Sequence, residues 1–170
     1  MSKLIKTFSL FLLIILSLNT AYSNEKTAFV DLDYLVKNSN VGKLALKKIN
    51  ELDKKNLSKL KSKNEELKKI EIELQKKQNI ISEEAFKEEV NSLKMKINEF
   101  SIEKNEMVKN FNSFKKKELD IVFAKISPVI KEFMNKNSIN VLLDTKNVFM
   151  GKQESDLTKE ILNEINKSIK

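Results

Sequence analysis

From Phe86 onward, apolar residues return every seventh position. Phe86, Leu93, Phe100, Met107, Phe114 and Ile121 form one series, here d of a heptad. The a positions of the same register are Val90, Ile97, Lys104, Phe111 and Glu118, three of the five apolar. A seven-residue period sustained this long predicts a coiled-coil seam. Upstream the pattern is looser. Leu46, Asp53, Leu60, Leu67 and Leu74 stand at a, and Ile49, Asn56, Lys63, Ile70 and Lys77 at d, so only two d positions are apolar. No Gly or Pro interrupts residues 43–127. The pattern predicts helices over 43–78 and 83–127, with a turn at 79–82. Asn79 can end the first helix and Ser82 can cap the second, while Glu83 and Glu84 complement the dipole of its first turn. Folded back on each other, the two make a long antiparallel hairpin; one continuous rod is the alternative, since neither Gly nor Pro marks the turn.

The ends follow a different period. TAFVDL (27–32) reads as a strand leading into a short helix, and INVLLD (139–144) and NVFMG (147–151) read as a strand pair around a polar turn. SPVIKEFMNKNS is expected to continue the second helix past Pro128, which removes a helical hydrogen bond and should kink the helix where it enters the body. Asp156 or Thr158 can cap a last amphipathic helix over 157–169, with Ile161, Leu162, Ile165 and Ile169 on its apolar side. The fold class is therefore mainly α with a small β body, built from 24–42 and 128–170, carrying the helices of 43–127. Three short strands have two bare edges and little buried area. Their apolar residues point both ways: Ile139, Val141 and Leu143 to one face, Leu142 to the other, with Phe29 and Phe149 placed like Leu142. Phe29, Val30, Ile139, Val141, Leu142, Leu143, Val148 and Phe149 are thus the expected oligomerisation surface. A monomer whose terminal helix covers the sheet is the alternative.

Residues 1–23 combine Lys3 and Lys6, an apolar run from Phe8 to Leu18, and Ala21-Tyr22-Ser23. That is the anatomy of a cleaved export signal, and its apolar run is short of the ~20 residues that span a bilayer. An uncleaved anchor is the alternative. The exported chain starts near Asn24 and is expected in a bacterial periplasm.

Composition narrows the chemistry. Cys, His and Arg are all absent; the 32 basic residues are lysines. Without His or Cys there is no Ser/His or Cys/His nucleophile pair, and the commonest metal ligand is missing. Glu65-Glu66, Glu83-Glu84 and Glu88-Glu89 are neighbours along helices, so their carboxylates do not converge. Gly151-Lys152 lacks the rest of a phosphate loop. No catalytic residue, cofactor site or metal site is expected, and the chain reads as a binding protein.

Charge adds a partner class. Residues 43–78 hold twelve lysines against six acidic residues, whereas 83–127 hold nine of each. Lys47, Lys54, Lys61 and Lys68 recur at b, and Lys48, Lys55, Lys69 and Lys76 at c, a stripe alongside the seam repeating every ~10 Å. Such a stripe attracts anions over a distance that salt shortens. For an exported protein those are acidic unfolded polypeptides, lipopolysaccharide or anionic lipid headgroups, and not nucleic acid. The aromatic seam is the other candidate surface. Asn56, Lys63 and Lys77 stand where a tight seam wants Leu, so part of Phe86, Phe100, Met107, Phe111 and Phe114 is expected to stay open to a partner.

AFVDLDYLVKNSNVGKLALKKINEL (28–52) and INVLLDTKNVFMGKQESDLTKEILNEIN (139–166) resemble the two ends of the Skp/OmpH family of periplasmic chaperones. The shared features are a strand ending in Val-Asp, the Ser39–Gly42 step, the strand ending at Leu143-Asp144, and Asp156-Leu157-Thr158 opening the last helix. ISEEAF is similar to the family's hairpin tip. The resemblance implies a homotrimer: a barrel-like body of strands with three helical hairpins hanging from it as tentacles around a cavity. It also implies capture of unfolded outer-membrane proteins without ATP. The aromatics named above and Lys47, Lys54, Lys55, Lys61, Lys68, Lys69 and Lys76 are then the client-binding residues. Two departures stand out. The glycine that often precedes the second strand is replaced by Asn137-Ser138, with Asn expected to tolerate the left-handed conformation. The family's proposed lipopolysaccharide contacts include arginines, which this chain lacks. An exported coiled-coil tether that binds the anionic membrane surface is the competing reading.

Overall fold

The computed structural model describes residues 26–169; the expected export signal, 1–23, lies outside them. In chain order come β1 (Lys26–Val30), α1 (Leu32–Asn38), α2 (Asn40–Lys77), α3 (Glu83–Lys136), β2 (Ile139–Asp144) and α4 (Thr158–Ser168). Short 3-10 turns at Thr145–Asn147 and Gln153–Ser155 link β2 to α4. The chain is mainly helical, with one small strand pair.

The first three helix starts have a side-chain cap; α4 has none at its N-cap, Leu157, and the expected Asp156 only accepts from the N–H of its first residue, Thr158. Asp31 accepts a hydrogen bond from the Tyr34 N–H and opens α1. Ser39 does two jobs while fully buried: its N–H closes α1 on the Leu35 carbonyl, and its Oγ accepts from the Gly42 N–H to open α2. Gly42 is there for lack of room. A Cβ on it would lie 1.8 Å from the Val36 carbonyl oxygen, so α1 can turn tightly into α2 only over a bare Cα. Ser82 caps α3 through the Ala85 N–H, as its sequence position predicts. α3 continues past Pro128, as expected, and reaches Lys136. Asn137 ends it by donating its side-chain N–H to the Phe133 carbonyl. That bond holds Asn137 at φ −104°, and the left-handed conformation falls to Ser138 at φ 54°, not to Asn137.

The sheet differs from the expected three strands. β1 and β2 pair in parallel, with Ala28 opposite Leu142 and Val30 opposite Asp144. Val148–Gly151 is not a strand in the chain. Asp144 caps the 3-10 turn through the Lys146 N–H. The chain then passes from β2 to the far edge of β1, where the Leu157 N–H donates to the Phe29 carbonyl. A segment making that crossing cannot also pair along β2. A register shift between Lys26 and Thr27 leaves Asn140 unpaired as a bulge. It separates Ile139, which is buried, from Val141 and Leu143, which are open. The simple alternation expected for β2 therefore fails at one residue.

The core sits where α1, the start of α2, the end of α3 and α4 meet. Val30, Leu35, Val36, Val122, Ile126, Ile161 and Ile165 are its buried centre. Ala45, Val122 and Ile126 belong to it although the sequence placed them in the 43–127 helices; a helix without a break carries its apolar face straight into the body. Long-range polar bonds pin the pieces. The Asp31 N–H donates to Thr158 Oγ1 at 2.9 Å, and Thr158 Oγ1 donates to Asp156 Oδ1. The Asn40 N–H, an unpaired donor of the first turn of α2, finds Asn166 Oδ1 at 2.8 Å.

Candidate functional site

Beyond the body, α2 and α3 lie side by side. Cross-helix ion pairs join Lys48 to Glu118 (3.1 Å), Lys59 to Glu103 (2.7 Å), Lys63 to Glu103, and Lys77 to Glu89 (2.9 Å). Partners descend along α3 as they ascend along α2. Every expected seam position of α2 from Leu46 to Leu74 is at least half-buried, including Asp53, Asn56 and Lys63. On α3 the register holds at Phe86, Leu93, Phe100, Met107, Phe111 and Phe114, all half-buried or buried, and fails at Ile97 and Ile121, which are exposed. After Phe114 the buried positions are Glu118, Val122 and Ile126. A straight helix drifts ~20° per heptad, so over the four heptads from Leu93 the face moves ~80° off Ile121 and onto Val122.

Packing is tight only at the ends of the pair. Ile49 and Glu118 are buried near the body, Leu74 and Leu93 near the tip, and no residue between them on either helix is buried. Between α2 and α3 three depressions open, two of them in this loose middle. The largest, about 490 Å³, has Leu52, Met107, Phe111 and Phe114 on its floor and Asn56, Lys59, Glu103 and Glu106 at its rim. One heptad further toward the tip, Leu67 and Phe100 floor a depression of about 220 Å³ beside Lys63. A heptad further still, Ile70, Leu74 and Leu93 line one of about 180 Å³. The polar seam residues Asn56 and Lys63 stand at two of the three, as expected of residues that cannot fill an apolar seam. Glu103 was not picked out from the sequence. Its carboxyl is held below the usual range by hydrogen bonds first from Lys59 and then from Lys63. Opposite charges at the g positions Lys59 and Glu103 were the available signal.

The lysine stripe does not line these three depressions, but Lys47 and Lys54 line a further one of about 440 Å³ beside Leu46. Lys47, Lys48, Lys54, Lys55, Lys61, Lys68, Lys69 and Lys76 are all exposed. Lys48 reaches Glu118 and Lys61 lies 4.0 Å from Glu65; the other six have no ion-pair partner among the described residues. On the back of α2 these lysines outnumber the acidic residues among them, Glu51 and Glu65, and leave a net positive field.

The body has a second open surface. Val30 is buried on the inner face of the sheet and Leu142 packs against the same core, where α4 also contributes Ile161 and Ile165. Among the described residues no helix covers the outer face. Phe29, expected on the face of Leu142, instead stands opposite Leu143 on this face and is half-buried, while Val141 and Leu143 remain 42% and 40% exposed. Val148 is half-buried, and Phe149 and Met150 stand out fully into solvent. Gly151 lies against the Phe29 ring, where a Cβ would come within 2.5 Å of Cε1. An ion pair from Lys146 to Asp33 (2.8 Å) ties the turn after β2 to α1 and lowers the Asp33 carboxyl below its usual range. Among the described residues no cluster of ligating side chains suits a metal, and no helix is long and apolar enough to cross a membrane.

A family model described as "Outer membrane protein (OmpH-like)" matches residues 26–165. Among solved structures, a candidate outer membrane chaperone (OmpH-like) from Caulobacter crescentus superposes with a TM-score of 0.74. The identity is 19%, and the match covers 84% of this chain and 85% of the other, a likeness of fold. No curated protein matches the chain.

Proposed function

Because the chain belongs to the OmpH-like family, whose members are not enzymes, we propose that it is a periplasmic holdase chaperone for unfolded outer-membrane proteins. α2 and α3 act as an antiparallel tentacle, and the small sheet joins with those of two further copies into a trimerisation body. Clients are held between tentacles, without nucleotide, until they insert into the membrane. The observation that carries this reading is the half-buried row Phe100, Met107, Phe111 and Phe114, left open in a loosely packed helix pair beside an unpaired lysine stripe. Many weak, non-directional contacts suit a partner with no fixed shape, and Met adapts to varied side chains. The lysines supply long-range attraction for acidic segments. The uncovered outer face of the sheet, with Phe149 and Met150 projecting from its edge, supports self-association.

The test is light scattering after size exclusion, with the protein alone and after dilution into it of a urea-unfolded outer-membrane β-barrel protein. The expected results are a trimer alone and a soluble complex of one trimer with one client. A client that aggregates beside the protein sinks the holdase reading. Co-sedimentation with anionic vesicles or lipopolysaccharide in that case turns the lysine stripe into a surface tether.

A further inference from the structure

The ion pairs that cross between α2 and α3 fall at three places, and apolar packing backs only two of them. Lys48 meets Glu118 beside buried Ile49, and Glu118 is itself buried. Lys77 meets Glu89 within four residues of buried Leu74 and Leu93. At both, buried side chains hold the helices together whether or not the charges pair. The third place has no such backing. Glu103 takes both Lys59 and Lys63, and the seam residues around it, Asn56, Leu60, Phe100 and Met107, are only half-buried. Glu103 is also the one acid among the described residues that two lysines share. Lys59 and Glu103 stand at the rim of the depression floored by Met107, Phe111 and Phe114, and Lys63 borders the one floored by Leu67 and Phe100. The three charges thus cross the helix pair between its two largest interhelical depressions, where nothing apolar is fully buried.

We infer that Lys59, Glu103 and Lys63 form an electrostatic strap that sets how far α2 and α3 stand apart in the middle of the pair. When the strap is released, the middle splays while the body end and the tip stay shut, and more of Phe100, Met107 and Phe111 is uncovered. An isolated exposed ion pair contributes little, but here one carboxylate joins two ammonium groups at the place where packing is weakest. The Glu103 side chain is 27% exposed, so dissolved ions reach it and the strap weakens as ionic strength rises. The Debye length falls from ~30 Å at 0.01 M to ~3 Å at 1 M, and the second value no longer spans the cluster. That the strap governs the helix pair is independent of the holdase reading; that it regulates the exposure of a client-binding row rests on it.

The absence of Cys from the chain makes the test direct. Spin labels on exposed positions are placed in three pairs across the helices: Lys47→Cys with Lys117→Cys near the body, Lys55→Cys with Lys109→Cys in the middle, and Lys76→Cys with Asn91→Cys near the tip. Labelled chain is diluted with unlabelled chain, so that only distances within one protomer are read by electron paramagnetic resonance. Between 0.01 M and 1 M salt the middle distance is expected to lengthen by roughly 2 Å, the spread of ordinary helix–helix separations, and the end distances to stay fixed. Glu103→Gln and Glu103→Lys should lengthen the middle distance already at low salt. The reversed cluster K59E/K63E/E103K should restore it, which a packing role for these side chains would not do. A middle distance indifferent to salt and to Glu103 overturns the inference, as does equal lengthening at all three pairs or failure of the reversed cluster to restore the parent distance. Suppression of barrel-protein aggregation is read at low salt on the same variants, and is expected to rise with E103Q and to return to the parent level in the reversed cluster. If suppression persists while the distances do not respond, the holdase reading stands without a strap. If the distances respond while no variant suppresses aggregation, the strap stands and the holdase reading falls.

Discussion

Gly42→Ala sets two effects of opposite sign against each other. Gly42 is in the first turn of α2, and its φ is negative. By helix propensity alone the change stabilises by ~1 kcal/mol. The structure predicts the reverse. The new Cβ would lie 1.8 Å from Val36 O, 2.7 Å from Val36 C and 2.8 Å from Ser39 Oγ. Two of those atoms are backbone, so no rotamer change relieves the contact. Restoring ordinary contact near 3.4 Å requires α1 to move by roughly 1.5 Å from α2. Overpacking of that kind costs ~1–3 kcal/mol, and loss of the Ser39 cap adds ~1 kcal/mol. The expected net loss is ~1–3 kcal/mol, a fall in Tm of roughly 3–10 °C for a domain of this size. Thermal unfolding followed by circular dichroism, at matched protein concentration because any assembly shifts the midpoint, measures it. A variant as stable as the parent, or more so, refutes the argument that close approach of α1 and α2 selects glycine here.

Ser138→Gly is expected to stabilise by up to ~1 kcal/mol, since glycine adopts φ 54° without the side-chain penalty; urea unfolding checks it, and a loss would mean that the serine makes an offsetting contact. Acid should loosen the helix pair. The folded pKa of Glu103 lies below 4.5, so its contribution is complete above pH 4.5 and fades as pH falls through the lower folded value. Glu103→Gln should flatten that part of the pH–stability curve, and an unchanged curve counts against the Lys59–Glu103–Lys63 cluster. Phe149→Asp, at a fully exposed site, should leave the fold's intrinsic stability within about 0.5 kcal/mol yet weaken self-association in sedimentation velocity; an unaltered oligomer would remove the outer sheet face from the interface.

Much of the candidate site was legible because helix chemistry is local. The heptad from Phe86 and the spaced lysines from Lys47 to Lys76 are periodic properties of contiguous residues. The cap at Ser82 depends only on neighbours three residues away, and the structure reproduces it. The failures came where position depends on distant chain. Ile121 was expected in the seam, but the drift of a straight helix replaced it with Val122. Val148–Gly151 has strand-like composition, yet its route to the far edge of β1 denies it a ladder. Ile139 was assigned to the face of Val141 until one unpaired residue, Asn140, parted them.

By itself, the sequence determined that this protein is mostly helix, that two long helices share an apolar seam, that one of them is basic, and that its residues include no His or Cys for a nucleophile pair. All four follow from residue type and spacing along the chain. The tertiary structure alone decided which parts of that seam close and which stay open, because burial depends on what stands opposite each residue. Near the body Ile49 and Glu118, and near the tip Leu74 and Leu93, are buried between α2 and α3. In the middle, polar and charged residues face Phe100, Met107 and Phe111, and the space between them stays unfilled.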